Sequence, residues 1–197
     1  MLQKKNKLEH QTFCPTSRQH WRAWLQEHHA SVQSVWLIYH KIKSGKPSIR
    51  YSDAVDEALC FGWIDGKIKS IDTESYTQLF CKRKKGGTWS KVNKEKIEML
   101  TEKGLMTQAG LQAITQAKQD GSWTILDSAE ALEIPDDLAI AFAKVPIAQA
   151  YFATLSRTDK RNILQWLVLA KQPSTRERRV TEIVSEAAIG TKPKQFR

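Results

Sequence analysis

The sequence of 197 residues lacks several features that identify common classes of protein. It contains no apolar window near the roughly 18 residues that a membrane-spanning helix requires, so no membrane insertion is expected. Its basic N-terminus is not followed by an apolar stretch, so we expect no secretory signal and a cytoplasmic location. The few cysteines form no C-x-x-C pair and no zinc-ligand spacing, which fits a reducing compartment. They are Cys14, Cys60 and Cys81.

Motifs for common enzyme chemistry are also missing. None of the five histidines stands in an H-E-x-x-H pattern, and no serine stands in a G-x-S-x-G elbow. The glycine-rich pattern of a P-loop nucleotide site is absent as well. Three carboxylates, at Asp53, Asp56 and Glu57, share one face of a predicted helix, where the helix dipole alone favours acidic residues. The sequence therefore predicts no metal, no cofactor and no obvious catalytic machinery.

Positive charge is abundant. The net charge is +10, from 31 basic and 21 acidic residues, and weak attraction to nucleic acids, anionic lipids or acidic small molecules follows from it. A solvated basic face explains such a charge without a specific partner, so no specific nucleic acid is expected. The seven tryptophans can fill a core or line a pocket.

The first 90 residues alternate between helical and extended patterns. A capping box, Thr16-x-x-Gln19, opens an amphipathic helix. A second helix is expected to be capped by Ser52 and to end near Gly62. Short segments rich in β-branched and aromatic residues predict strands, of which the last two form an antiparallel hairpin. These strands are Ser34–Ile42, Trp63–Asp72 and Ser75–Lys84.

Every segment after Ser90 has a helical pattern, apart from the irregular stretch 122–134. No strand is expected after residue 100. The predicted helices begin at capping residues or at prolines, which suit the first position of a helix. These residues are Ser90, Thr107, Pro135, Pro146, Ser156 and Ser174. The predicted fold class is α+β, with a small N-terminal helix-strand-helix-hairpin unit followed by a mostly helical C-terminal unit.

The hairpin is the first candidate site. Residues two apart share a face of a strand, so Trp63 and Asp65 would point one way and Ile64 and Ile68 the other. Tyr76 and Gln78 would share the corresponding face of the partner strand. This face is either a wall of a ligand site or a solvated surface with a structural Asp65, and Ile64 and Ile68 would supply the core. Gly66 in mid-strand indicates a bulge or a close backbone approach.

The basic segment that follows is the second candidate. Lys82–Lys85 lead into Gly86-Gly87 and then into the helix that begins after Ser90. Backbone N–H groups of such a turn and helix start can bind an anion, and Trp89 could stack on a planar group. The alternative is a flexible, lysine-rich turn.

Several motifs place the chain in a family. They are A-L-C-F-G-W-I-D-G at residues 58–66, T-W-S-K-V-N at 88–93, L-x-x-x-G-L-M-T-x-A-G at 100–110 and A-K-Q-P-S-T-R-E-R-R at 170–179. This set resembles the bacteriocin-protection family, also called the YdeI or OmpD-associated family. The resemblance implies that residues 13–121 form an α+β domain similar to the frataxin-like iron-chaperone group, and that 130–190 form the helical bacteriocin-protection domain. Where that family tends to have F-T-P-R, this chain has Phe80-Cys81-Lys82-Arg83.

The resemblance implies a non-enzymatic binding or accessory function in envelope-stress or bacteriocin tolerance. The partner would be a small anionic ligand or another protein. Two alternatives stay open: an enzyme that uses Asp65 as acid or base and Arg83 to hold an anionic substrate, and a weak nucleic-acid-binding module that uses Lys82–Lys85 and Trp89. The candidate ligand-binding residues are Trp63, Asp65, Tyr76, Arg83, Trp89, Ser90 and Asn93.

Overall fold

The computed structural model describes residues 11–197, and the chain divides into two compact units. The first unit runs to Gly87 and includes Val92–Asp120, and the second contains Thr88–Lys91 and Gly121–Arg197. Strands occur only in the first unit of the described chain, so the predicted α+β class is confirmed. Over residues 11–197, no helix has the length and apolar character needed to cross a membrane. The predicted domain bounds and the likeness to the iron-chaperone group stay predictions.

The first unit contains a four-stranded sheet. Its strands are β1 (Thr12–Phe13), β2 (Ser34–His40), β3 (Trp63–Ser70) and β4 (Ser75–Lys82), in the order β1-β2-β4-β3. β1 pairs parallel to β2, and the other pairs are antiparallel. The predicted hairpin is confirmed as β3 and β4, whereas β1 is too short to produce a periodic pattern in the sequence. β2 ends two residues before the predicted strand end, because a 3-10 turn begins at Ile42.

The hairpin is shaped by a bulge and by its turn. The register of β3 against β4 shifts between Asp65 and Ile68, which confirms the bulge indicated by Gly66. In the turn, Asp72 Oδ1 accepts hydrogen bonds from the backbone N–H groups of Glu74 and Ser75, at 2.8 and 2.7 Å. These bonds lower the pKa of Asp72. A carboxylate therefore fixes a connection that carries no Asn-Gly signal.

Four α-helices lie between β1 and residue 120. They are α1 (Arg18–His28), α2 (Tyr51–Cys60), α3 (Lys91–Glu102) and α4 (Gln108–Gln119). Two of them start at residues other than those predicted. α1 is capped by Ser17, whose Oγ accepts from the N–H of His20 at 3.1 Å, while the Thr16 hydroxyl contacts the His20 ring instead. α2 follows Arg50, which provides no side-chain cap, so Ser52 lies inside the helix.

α2 and α4 meet closely at the C-terminal end of α2. Thr107 caps α4 as predicted, and its hydroxyl also donates to the Cys60 carbonyl oxygen at 2.7 Å. Gly110 lies against the same carbonyl, and a methyl group added at this position would overlap the oxygen. The C-terminal end of α2 is therefore fixed by a polar contact and by the absence of a side chain.

Ion pairs join α1, α2 and α3. Glu57 is 2% exposed, and its carboxylate accepts from Arg18 Nε at 2.5 Å and from Arg22 at 2.6 Å. Asp56, also buried, pairs with Lys96 of α3. The acidic face that the sequence assigns to the helix dipole is thus a buried charge network. Removal of one member of this network should lower the stability of the fold, because a buried charge that loses its partner is strongly destabilising.

The second unit consists of helices in its described part. The short α5 interrupts the stretch 122–134, which the sequence predicts to be irregular. α9 begins at Pro173 rather than behind a Ser174 cap, because proline fits the first helical position, where no N–H bond is lost. The absence of strands after residue 100 is confirmed for the described residues. The helices are α5 (Asp127–Glu130), α6 (Asp136–Ala143), α7 (Pro146–Thr154), α8 (Arg157–Val168) and α9 (Pro173–Ala188).

The buried network predicts the effect of Glu57→Gln. The neutral amide leaves Arg18 and Arg22 without their shared carboxylate, so we expect the free energy of unfolding to fall by about 2–4 kcal/mol, less than for fully buried arginines because both are partly exposed. Denaturant unfolding followed by tryptophan fluorescence measures it. The control is Glu102→Gln, at an exposed position of α3. Equal stability of the two variants would contradict a stabilising role for the network.

Candidate functional site

The predicted assignment of the hairpin faces was wrong. Trp63 and Phe80 are fully buried under α1, whereas Ile68 is 63% exposed. Trp63 packs edge-to-face on Trp24, with 6.0 Å between ring centroids, so it belongs to the core. Asp65, two residues further along the strand, therefore starts from the core-facing side of the sheet. A carboxylate in that position needs hydrogen-bond partners.

Asp65 finds its partners on α2 and β4. Its Oδ2 accepts from the Tyr51 hydroxyl at 2.9 Å and from Gln78 Nε2 at 3.0 Å. Gln78 is only 2% exposed, so this amide is fixed by packing. Burial and the bond to Asp65 raise the pKa of Tyr51 to about 12, so its hydroxyl stays protonated at neutral pH. Asp65 thus ties the first residue of α2 to the sheet.

Arg83 lies within the electrostatic field of Asp65. Burial lowers the pKa of Arg83 to about 10, and the negative charge of Asp65 opposes that shift, so the guanidinium remains charged at neutral pH. The backbone N–H of Arg83 donates to the Gly62 carbonyl oxygen at 3.0 Å. Its side chain lines a cavity of about 330 Å³ together with His29, Phe61 and Gln112.

Three tyrosines gather beside Asp65. The rings of Tyr39 and Tyr76 are stacked, with centroids 4.9 Å apart and planes 4° from parallel. Burial raises the pKa of Tyr39, and so do, in smaller measure, Tyr76, Tyr51 and Asp65. The Tyr39 hydroxyl is buried and has no hydrogen-bond partner among the residues that the structure describes. Tyrosine hydroxyl groups and the Asp65 carboxylate therefore lie near one another on the side of the sheet that contacts α2.

A cavity of about 570 Å³ opens next to the tyrosines. Tyr39, Tyr51 and Tyr76 form part of its wall, and none of its lining residues within 11–197 is acidic. Its four cationic side chains differ in their partners. Lys41 donates to the Thr73 carbonyl oxygen at 3.1 Å, and Lys46 pairs with Glu74 at 3.2 Å at the surface. The other two, Lys43 and Arg50, have no side-chain partner within residues 11–197. We call this space the tyrosine cavity.

The glycine turn of the second candidate site is already engaged within the chain. The N–H of Gly86 donates to Asp120 Oδ2 at 3.0 Å, and the N–H of Gly87 donates to the Lys84 carbonyl oxygen at 3.0 Å. These amides satisfy internal acceptors, so an anion at the turn would have to displace them. Trp89 is 3% exposed and packs on Trp123, with 5.1 Å between ring centroids.

The seven predicted site residues therefore fall into two groups. Trp63, Asp65 and Arg83 lie near the start of β3 and the end of β4, whereas Tyr76, which pairs with Ser70, lies near the hairpin turn; all four belong to the first unit. Asn93, at the start of α3, is assigned to the first unit, whereas Trp89 and Ser90 are assigned to the second. Ligand binding by any of the seven stays a prediction.

Sequence reasoning missed most of the tyrosine cavity. The segment K-I-K-S-G-K-P-S-I-R, residues 41–50, is a strand break by its glycine and proline, and it also places four cations within ten residues without an acidic residue among them. That local charge imbalance was a usable signal. Tyr51 gave no comparable signal, and Gln78 was placed on the hairpin face without its partner, since both roles depend on packing between β4 and α2. No group of three His, Cys, Asp or Glu residues within 11–197 is arranged to hold a metal ion.

Comparison with known families gives two matches. A family model described as a domain of unknown function (DUF8412) matches residues 13–113. A second, described as Bacteriocin-protection, YdeI or OmpD-Associated, matches residues 131–190 and confirms the resemblance indicated by the motifs. The segment A-K-Q-P-S-T-R-E-R-R lies within the second match, while A-L-C-F-G-W-I-D-G and T-W-S-K-V-N lie within the first. No curated protein and no solved structure matches the chain.

The Asp65 contacts predict the behaviour of Asp65→Asn. Loss of the charge removes one cause of the raised pKa of Tyr51, so this pKa should fall below about 12. Loss of the charge-assisted bonds should lower stability by about 1–2 kcal/mol. NMR titration of tyrosine ring signals measures the first effect and denaturant unfolding the second. Asp136→Asn, exposed on α6, serves as the control. An unchanged Tyr51 titration would show that the two side chains do not interact in solution.

Proposed function

Since this chain belongs to the family of a domain of unknown function (DUF8412) and carries a bacteriocin-protection match, we propose that it is an accessory protein of bacteriocin tolerance. It acts in the cytoplasm by binding a small anionic ligand, without catalysing a reaction. The tyrosine cavity is the binding site. The observation that carries this proposal is a cavity whose lining, in the part of the chain that the structure describes, has four cationic side chains and no acidic residue.

The charges of the cavity favour an anion. Four cations around one concave surface produce a positive potential that raises the local concentration of anions. Lys43 and Arg50 have no carboxylate partner within the described chain, so a bound anion does not compete with an internal acceptor. The planar guanidinium of Arg50 can donate two parallel hydrogen bonds to a carboxylate or phosphate. Such geometry adds selectivity to the general attraction.

The start of α2 adds backbone donors to the same site. Arg50 precedes the helix and gives its first turn no side-chain cap. The first N–H groups of a helix have no acceptor within the helix, and the helix dipole places partial positive charge there. Because Arg50 and Tyr51 line the tyrosine cavity, an anion in the cavity can lie near these groups.

Two observations favour binding over the alternatives. An Asp65 that acts as acid or base should face the ligand, yet Asp65 accepts two internal hydrogen bonds and does not line the cavity. A nucleic-acid surface around Lys82–Lys85 would use Trp89 as a stacking platform, but the ring of Trp89 is packed on Trp123. Anion binding in the tyrosine cavity involves neither Asp65 nor Trp89, since neither residue lines it.

Binding of inorganic phosphate tests the site. Lys43→Gln combined with Arg50→Gln removes the two cations without internal partners, so we expect phosphate affinity to fall at least about tenfold. NMR titration at constant ionic strength should show the amides of residues 41–53 shifting first. The control variant, Lys67→Gln with Lys103→Gln, loses the same charge at exposed positions and should bind normally. Equal weakening in both variants would indicate surface charge alone.

A survival assay tests the physiological role. Cells lacking this protein should be killed by a bacteriocin at a lower dose than cells that express it. The wild-type chain and the Lys67/Lys103 control should restore survival, and the Lys43/Arg50 variant should not. Unchanged survival in the deletion strain would contradict the role in tolerance. Full rescue by the Lys43/Arg50 variant would contradict the cavity as its basis.

A further inference from the structure

If the tyrosine cavity binds an anion, as proposed above, the hydrogen bonds around Tyr51 define more closely which anions it accepts. We infer that the tyrosine cavity selects an anion that also carries a hydrogen-bond donor, as inorganic phosphate does and sulfate does not. The inference depends on the Tyr51 hydroxyl acting only as an acceptor toward the cavity.

The direction of the Tyr51 hydroxyl bond follows from its partner. Tyr51 lines the cavity and is 48% exposed, so a ligand can reach it. A tyrosine hydroxyl has one proton to donate, and an ionised carboxylate can only accept. At 2.9 Å from Asp65 Oδ2, the Tyr51 proton is therefore committed to Asp65. The Tyr51 oxygen also has a side-chain hydrogen-bonding contact with Gln78, so only its remaining acceptor capacity is open to a ligand.

This arrangement resists rotation of the hydroxyl. Asp65 Oδ2 is also fixed by Gln78 Nε2 at 3.0 Å, and Gln78 is almost fully buried. If Tyr51 turned its proton to a ligand, the half-buried Asp65 would lose a charge-assisted hydrogen bond. The side-chain carbonyl oxygen of Gln78 cannot replace the lost bond, because it is itself only an acceptor. It accepts no hydrogen bond from the described residues.

The lining residues of the cavity thus make different demands on a ligand. Lys43 and Arg50 attract any anion, whereas the Tyr51 oxygen, backed by the Asp65 charge, requires a donor. An anion without a donor places one acceptor against another, which is unfavourable. Inorganic phosphate keeps at least one hydroxyl at neutral pH, and sulfate of similar shape has none. The cavity of about 570 Å³ also has room for a larger anion that bears a hydroxyl or amine.

Paired titrations with inorganic phosphate and sulfate, at neutral pH and constant ionic strength, test the inference. The wild-type chain should bind phosphate about tenfold or more tightly than sulfate, the factor expected for one hydrogen bond against an unpaired acceptor. In Tyr51→Phe the ratio should approach one, because phosphate loses its acceptor and sulfate no longer meets an opposing oxygen. In Asp65→Asn the neutral amide holds the Tyr51 proton less strongly than the carboxylate does, so sulfate can compete for that proton and should bind more tightly. The Lys43/Arg50 variant should weaken both ions by a similar factor and keep the ratio.

The possible failures are distinguishable. Equal binding of the two ions by the wild-type chain, or an unchanged ratio in Tyr51→Phe, overturns the selectivity and leaves anion binding intact. If neither ion binds, both the selectivity and the proposed function are overturned. Circular dichroism of each variant confirms that a changed ratio does not arise from unfolding.

Discussion

A carboxylate on the core-facing side of the sheet is the constraint on which the candidate site depends. Asp65 cannot face solvent freely, because Trp63 and Phe80 on the same side are buried in the core. Its need for donors fixes the Tyr51 hydroxyl and the Gln78 amide, which join α2 to the hairpin. The position of α2 in turn places Arg50 at the cavity. The hydrogen bonds that this one half-buried carboxylate requires thus link β3, β4 and α2.

Much of the secondary structure could be predicted from the sequence, since it depends on local chemistry. The hairpin, the Gly66 bulge, the Thr107 and Ser156 caps and the lack of strands after residue 100 all follow from short-range patterns. The choice between two neighbouring residues that can both cap a helix was less predictable. Ser17 and Thr16 can both cap a helix, and the backbone conformation, extended at Ser17, decided between them.

The candidate site was harder to predict because it depends on which face of the sheet the helices cover. Alternation in the hairpin is compatible with a core on either face, and the isoleucines on one side suggested the wrong one. Asp65 and Tyr76 were identified as chemically unusual, but their neighbours on β2 and α2 could not be assigned without the packing. Arg50 and Lys43 stand out in the sequence only as members of a basic segment, and the structure shows that both line one cavity.

The close approach of Gly110 to the Cys60 carbonyl oxygen has a consequence for how this protein can evolve. Gly110 lies in a helix, where alanine normally improves stability. Here the added methyl group would push α4 away from the end of α2, so the usual benefit becomes a steric cost. Natural selection can therefore vary the cavity end of α2 while this position stays restricted to glycine. Under the proposed function, new ligand preferences can arise at the N-terminal end of α2 without altering the contact that holds its C-terminal end.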